Sequence, residues 1–311
     1  MANATIIEHI NQYIDALIGN LETPVVSNVN VIFDSGAVNG IFGIGAAMYL
    51  HKLEKAGRIK IDKISGCSIG SLIALWYSFN CPLGIIDDMN ELFISYKKNQ
   101  NFYHYEKTVK TIVNRLIKEE EEEKNIQTLN KRLYITYYDT KKIKKRIISL
   151  YKNKQHLIDC ILSSSHLPFL TSCAYKYKDR YIDGFTPHFF KKGKNLFINL
   201  IKLTQPSLMF SVKNEPHIYT RLLKGVNDMN IFFTTGGSGA KMCYYIDKKS
   251  YSMKLQLYIR EYLFLFFFSL IALFLKIKKI LPMSITQSLI YNKLGYDMNN
   301  EFKLLIKNNF F

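Results

Sequence analysis

Cysteine is scarce here and follows no pattern. The chain has five, Cys67, Cys81, Cys160, Cys173 and Cys243, an odd number with no C-x-x-C pair. That argues against both a disulfide framework and a structural zinc site. The expectation is reduced thiols in an intracellular protein. The N-terminus, MANATIIEHINQYIDALIGN, lacks a basic start and a long apolar run, so no secretory signal is expected there. Its apolar spacing fits an amphipathic helix instead. No internal repeat and no Pro/Gly/Ser linker marks a domain boundary. No G-x-G-x-x-G fingerprint and no calcium loop is visible.

Acidic residues are outnumbered. There are 25 against 42 basic ones, a formal charge of +17 in 311 residues. That excess favours an anionic partner, nucleic acid or a membrane surface. The basic stretch KKIKKR, Lys141 to Arg146, sits in a candidate hairpin turn with no nucleic-acid module around it, so membrane contact or solvation is the better reading. KEEEEEK, Lys118 to Lys124, reads as a solvated face. With 48% hydrophobic and 14% aromatic residues, the chain has ample material for a core.

The pattern along the chain is that of an α/β fold. NVNVIF (Asn28–Phe33) reads as a buried strand, DSGAVNG (Asp34–Gly40) as a small-residue turn, and Ile41–Lys55 as a helix stopped near Gly57. IKIDKIS (Ile59–Ser65) is a second strand, followed by a tight turn and a helix over Ser71–Phe79. Strand–turn–helix repeated twice predicts a parallel sheet. Helices are expected between Pro82 and Thr128 and over Leu157–Ser164. A hairpin is expected from RLYITYY (Arg132–Tyr138) and ISLY (Ile148–Tyr151). Strands are expected near Tyr175–Phe185 and over Leu196–Leu203. Tyr262–Leu275 is 14 residues without a charge, with Lys276, Lys278 and Lys279 just after it.

The second turn carries the chemistry. Gly66-Cys67-Ser68-Ile69-Gly70 matches G-x-S-x-G, the arrangement that exposes a serine hydroxyl on a sharp strand-to-helix turn. The helix that follows offers free N–H groups near the developing charge. A serine needs a base. In the chain order of α/β hydrolases, Asp183 with His188 or His217 would serve, but that fold usually places more strands before its nucleophile than the two that fit here. DSGAVNG could aim backbone N–H groups at an oxyanion. YKDRYIDGF places Asp183 and Gly184 at a strand end.

Taken in order, these segments resemble the patatin-like phospholipase family. DSGAVNGIFGIGAAMYLHKLE resembles its DGGGxxG loop and following helix, IDKISGCSIGSLIAL its G-x-S-x-G elbow, SSSHLPFL its Ala-Ser-Ser-x-x-Pro segment, and YKDRYIDGF its strand ending in Asp-Gly-Gly or Asp-Gly-Ala. The resemblance covers about residues 29 to 190. It implies a mostly parallel sheet flanked by helices and a Ser–Asp dyad: Ser68 as nucleophile and Asp183 as base, with Gly66, Cys67, Ile69 and Gly70 forming the elbow. Gly36 and Ala37, with Asn39 and Gly40 nearby, would form the oxyanion hole. No metal or cofactor is implied. The substrate implied is a glycerophospholipid or another lipid ester, and no nucleic acid is expected. Ser35 and Ala37 stand where the family prefers glycine, Asn39 where a basic residue is common, and Phe185 where a small residue follows Asp-Gly. The altered loop at Ser35 and Ala37 keeps open a non-catalytic homologue that binds lipid or protein. A neutral-lipid or small-ester hydrolase with a Ser–His–Asp triad is the other alternative. The expected organisation is a helical extension over 1–28, the patatin-like domain over 29–250, and an apolar, basic segment over 251–311. Residues 255 to 282 would attach the protein peripherally to an anionic membrane.

Overall fold

The computed structural model describes residues 2–21, 26–99, 101–202, 209–212, 215, 217–246 and 251–280. Leu203, the end of the strand expected over Leu196–Leu203, and residues 281–311 of the C-terminal segment lie outside the described residues.

Among the described residues one sheet of seven strands organises the chain. Its order is β4-β3-β2-β1-β6-β7, with β5 pairing on β3. The strands are β1 (Val26–Phe33), β2 (Ile59–Cys67), β3 (Leu133–Asp139), β4 (Lys144–Ile148), β5 (Tyr181–Asp183), β6 (Lys194–Ile198) and β7 (Cys243–Ile246). The central four, β3-β2-β1-β6, are parallel. The edges, β4, β5 and β7, are antiparallel. The sheet is therefore mixed around a parallel centre.

Alternation along β1 explains the two layers. Val29, Val31 and Phe33 point into the main core, while Ile32 points to the other face. The main-core face carries α1 (Ala2–Gly19), α2 (Gly40–Lys55), α3 (Ile69–Ser78), α7 (Lys154–Ser164) and α8 (Tyr219–Thr234). Ile7, Ile10, Ile14 and Ile18 recur at helical spacing and bury α1 in that same core, so the expected N-terminal extension is an integral part of it. Helices α4 (Gly84–Asn99), α5 (Tyr105–Leu116) and α6 (Glu122–Leu129) fill the stretch expected to be helical.

The second face is covered by α9 (Tyr251–Ile280), a helix about 45 Å long at 1.5 Å per residue. The 14-residue apolar run is its middle. One side of α9 docks. Met253 and Leu257 pack beside Ile32, Phe197 and Ile246, and Phe264 and Phe268 beside Ile182 and Phe185.

Two expectations need correction. The expected hairpin forms between β3 and β4, but the basic stretch is not only its turn: Lys144, Lys145 and Arg146 lie within β4, and of ISLY only Ile148 belongs to the strand. An edge strand tolerates such charges because one side of it meets water, and they block further pairing. The strand expected over Leu196–Leu203 ends at Ile198. Of the acidic run, Glu122 has a structural task, since its carboxylate accepts the Lys154 N–H at the start of α7.

Candidate active site

Parallel strands in register bring two loops together. Phe33, the last residue of β1, sits opposite Gly66 of β2, so the loop after β1 and the turn after β2 emerge side by side. Ligands of α/β sheets bind at this carboxyl end. Cys67 pairs with Thr136 of β3, and the next β3 residue, Tyr137, pairs with Asp183 of β5. The sheet register thus carries Asp183 to the turn that holds Ser68.

Ser68 adopts φ +54° and ψ −132°, a conformation that L residues rarely hold. The surroundings enforce it. Its N–H donates to Ser164 Oγ at 2.9 Å, and that hydroxyl donates to the Thr136 carbonyl at 2.6 Å. The Ser71 hydroxyl donates to the Ser68 carbonyl at 2.6 Å. The flanking glycines are required by space: a Cβ on Gly66 would overlap the Gly70 carbonyl, and one on Gly70 would overlap the carbonyls of Phe33 and Asp34.

Asp183 is buried beneath this turn. Its Oδ1 accepts the Phe185 N–H at 2.8 Å and faces the Cys67 thiol at 3.6 Å. Its own N–H donates to the His166 carbonyl at 3.0 Å. The segment Ser164–His166 therefore steadies both the serine and the aspartate. Burial pushes the Asp183 carboxyl up to about 6, against hydrogen bonding from the Ser68 side chain, the Phe185 N–H and Cys67, and against the charge of Arg260.

The loop after β1 is Asp34–Gly36 followed by a 3-10 turn over Ala37–Asn39. Ala37 takes φ +47°, the left-handed region that favours glycine, so the loop is strained there. Among the described residues the N–H groups of Gly36 and Ala37 have no acceptor. Those of Asn39 and Gly40 are committed within the turn, to Gly36 O and to Ala37 O and Val38 O. Of the four residues expected around an oxyanion, Gly36 and Ala37 carry the uncommitted amides. The Asn39 side chain instead ties the loop to the end of β6, donating to Leu200 O at 2.9 Å.

A small, mostly apolar pocket opens beside Ser68. Ala37, Val38, Ile41 and Ile69 line its inner end. Met89, Leu92, Phe93 and Tyr96 form one face of α4 along its side, and Phe102, Tyr105 and Leu167 complete the wall. Apolar walls of this kind suit a hydrocarbon chain, with Ser68, Ser165 and Thr171 the hydroxyl-bearing residues among them.

Phe185 is not part of that pocket. It is buried and stacks on Phe264 and Phe268 of α9, with ring centroids 5.1 and 5.2 Å apart. The bulk that departs from the resemblance is a socket for α9. Neither candidate triad histidine meets the serine. The His188 ring stacks on Tyr134 at 5.5 Å, and the His217 ring lies against Tyr219 at 5.3 Å. The hydrogen-bond partners of Asp183 include no imidazole.

One part of the site was not read from the sequence. Arg260 of α9 is buried and grips Asp34 with both terminal nitrogens, Nη1 to Oδ2 and Nη2 to Oδ1, each at 2.7 Å. A lone arginine 226 residues from its partner leaves no local signal. Its neighbour Glu261 accepts from Lys145 at 2.8 Å and from the Thr186 hydroxyl at 2.6 Å. Among the described residues no group of three or more His, Cys, Asp or Glu side chains converges as a metal site requires.

The model of the family described as patatin-like phospholipase matches residues 31–186, from the strand before the oxyanion loop to just past the Asp-Gly pair. The chain belongs to the patatin-like phospholipase family. A search of curated proteins finds no match. The matched span holds the elbow, the loop after β1 and Asp183, while α8, β7 and α9 lie beyond it. Family membership places the patatin-like domain among lipid acyl hydrolases.

Proposed function

We propose that this patatin-like protein hydrolyses carboxylic esters of glycerophospholipids through a Ser68–Asp183 dyad. The observation that carries the reading is the strained Ser68 turn set over a buried carboxyl whose pKa is raised to about 6, beside a mostly apolar pocket. A carboxylate with an ordinary pKa is a weak base at neutral pH, and the raised value makes it a stronger one while leaving it mostly ionised.

Ser68 Oγ attacks the acyl carbonyl carbon as its proton passes to Asp183. The oxyanion is held by the amides of Gly36 and Ala37. The carbon–oxygen bond to the glycerol breaks, and Asp183 returns the proton to the leaving alkoxide. Water then attacks the acyl-serine with Asp183 as base, releasing the fatty acid and restoring Ser68.

The substrate is met at a membrane surface through α9. Residues 251–277 are long and apolar enough to cross a bilayer, and only 11% of the helix's apolar window is buried. Spanning conflicts with the anchoring of its first half to the domain by Arg260 and Glu261. Lying along the interface does not. Tyr251, Leu255, Tyr258, Tyr262, Phe266, Leu270, Leu273 and Ile277 form an exposed stripe at helical spacing, opposite the docked side. The charges of Lys276, near its end, and of Lys141 both reach Lys176, a cationic field suited to anionic headgroups.

The reading is tested with a fluorophosphonate probe on the wild type, Ser68→Ala and Asp183→Asn, followed by a phospholipid panel. Labelling at Ser68 that falls in both variants supports it. A folded wild type that does not label moves the weight to a non-catalytic, lipid-binding homologue.

A further inference from the structure

We propose that Arg260 of α9 is a positioning residue of the catalytic site: it clamps the carboxylate at the root of the oxyanion loop and supplies a buried positive charge that the loop itself lacks. The inference rests on the Ser68–Asp183 reading and extends the catalytic apparatus beyond the span shared with the family.

The geometry is specific. Asp34 is the first residue after β1, and Gly36 and Ala37 follow within three positions. The Arg260–Asp34 pair is bidentate at 2.7 Å and almost wholly excluded from water, with the side chains 4% and 0% exposed. The same carboxylate accepts the Ser35 N–H at 2.9 Å. Asp34 is also held from its backbone, where its N–H donates to Ile198 O at 3.1 Å. The entry to the loop is therefore fixed on three sides. The loop residues Ser35 to Gly40 include no basic side chain.

Stability alone does not account for the pair. A buried ion pair rarely outperforms well-packed apolar residues, because desolvating two charges offsets their attraction. This one leaves a further penalty, since the Arg260 Nε–H is buried without an acceptor among the described residues. The arrangement makes sense where charge placement matters. An acyl transfer develops negative charge at the amides of Gly36 and Ala37. Without the guanidinium, Asp34 would take up a proton or leave an unbalanced charge beside that oxyanion. Burial already pushes the Asp34 carboxyl upward, and Arg260 opposes the rise. Its charge also favours the ionised form of Asp183. One arginine thus acts on both the oxyanion loop and the base.

The test compares full-length wild type, Arg260→Met and Arg260→Lys, using a soluble short-chain aryl ester and the fluorophosphonate probe, with folding checked by circular dichroism and thermal melting. In folded Arg260→Met, kcat should fall roughly tenfold to hundredfold, in the range of a weakened oxyanion hole, while KM stays within about twofold because the pocket is untouched. The acid limb of its kcat/KM profile should move to higher pH. Arg260→Lys keeps the charge but cannot bridge both oxygens, so its acid limb should stay in place while kcat drops. A folded Arg260→Met with the wild-type kcat and acid limb overturns the proposal. If Arg260→Met does not fold, a wild-type kcat in Arg260→Lys overturns it. Ser68→Ala is the control: probe labelling that survives in it removes the dyad reading and this inference together, whereas labelling lost in Ser68→Ala but unchanged in Arg260→Met removes this inference alone.

Discussion

The N–H of Ser68 and the hydroxyl of Ser164 are 2.9 Å apart, both buried, in a bond that joins the nucleophile turn to the end of α7. Ser164→Ala should leave the Ser68 amide without an acceptor in a dry site. The penalty for such an orphaned donor is about 1–3 kcal/mol. The melting temperature should fall, and because the strained turn loses its brace, kcat should fall more than KM rises. Thermal melting with steady-state kinetics on a soluble ester checks both. An unchanged kcat would mean that the glycines and Ser71 hold the turn unaided.

Asp183 gives a prediction of pH dependence with a definite sign. In the proposed dyad its carboxyl must be ionised to accept the serine proton, and its value is raised to about 6. Activity should therefore fall as pH drops through about 6, rather than near 4 as for an ordinary carboxylate. The stability trend is opposite. A raised folded-state value means that the folded protein favours the protonated form. That contribution is complete below the unfolded value of 3.8 and is lost as pH rises through about 6. Asp183→Asn should thus be more stable than the wild type at pH 8, by up to about 3 kcal/mol from a shift of about two units. The difference should vanish below pH 4. Denaturant titrations at the two pH values measure it.

These two residues also show what the sequence made legible. The elbow, the loop after β1 and the Asp-Gly pair are local backbone devices, each written in a few adjacent residues, and the parallel strand order follows from strand–turn–helix repeats. Ser164 lay in a recognised segment, though its bond to Ser68 is a tertiary fact. The pairing of Arg260 with Asp34 and of Phe185 with α9 is not legible, because one arginine and one phenylalanine carry no mark of what they touch. The 14-residue apolar run concealed a longer helix, since Arg260, Glu261 and the preceding polar positions interrupt its hydropathy but not its helical stripe. Strand β7 is only four residues, Cys243 to Ile246, too short for a periodic signal.

Ala37 is the strained point of the proposed oxyanion loop. An alanine at φ +47° costs about 1–2 kcal/mol that glycine does not. Ala37→Gly should relieve this, less what glycine loses in the unfolded chain, for a net gain of roughly 0.5–1 kcal/mol. If strain also misaligns the amides, kcat should rise. Melting curves and kcat of the single variant check the two effects separately.

The outer stripe of α9 yields the last prediction. Phe266 and Leu270 are 63% and 48% exposed and lie on the side of the helix away from Phe264 and Phe268, so charging them should leave the docked face intact. An exposed apolar stripe of this extent serves no folding purpose on a water-facing surface. Phe266→Glu with Leu270→Glu should keep the melting temperature and the rate on a soluble ester within about twofold. Sedimentation with vesicles of phosphatidylcholine and phosphatidylglycerol should fall sharply, and hydrolysis of vesicle phospholipid should fall with it. Because the charges of Lys276 and Lys141 both reach Lys176, wild-type binding should also weaken as salt rises from 0.05 to about 0.5 M, a range over which the screening length drops to several ångströms. Vesicle binding that survives both the double variant and high salt would assign membrane contact to some other surface of the protein.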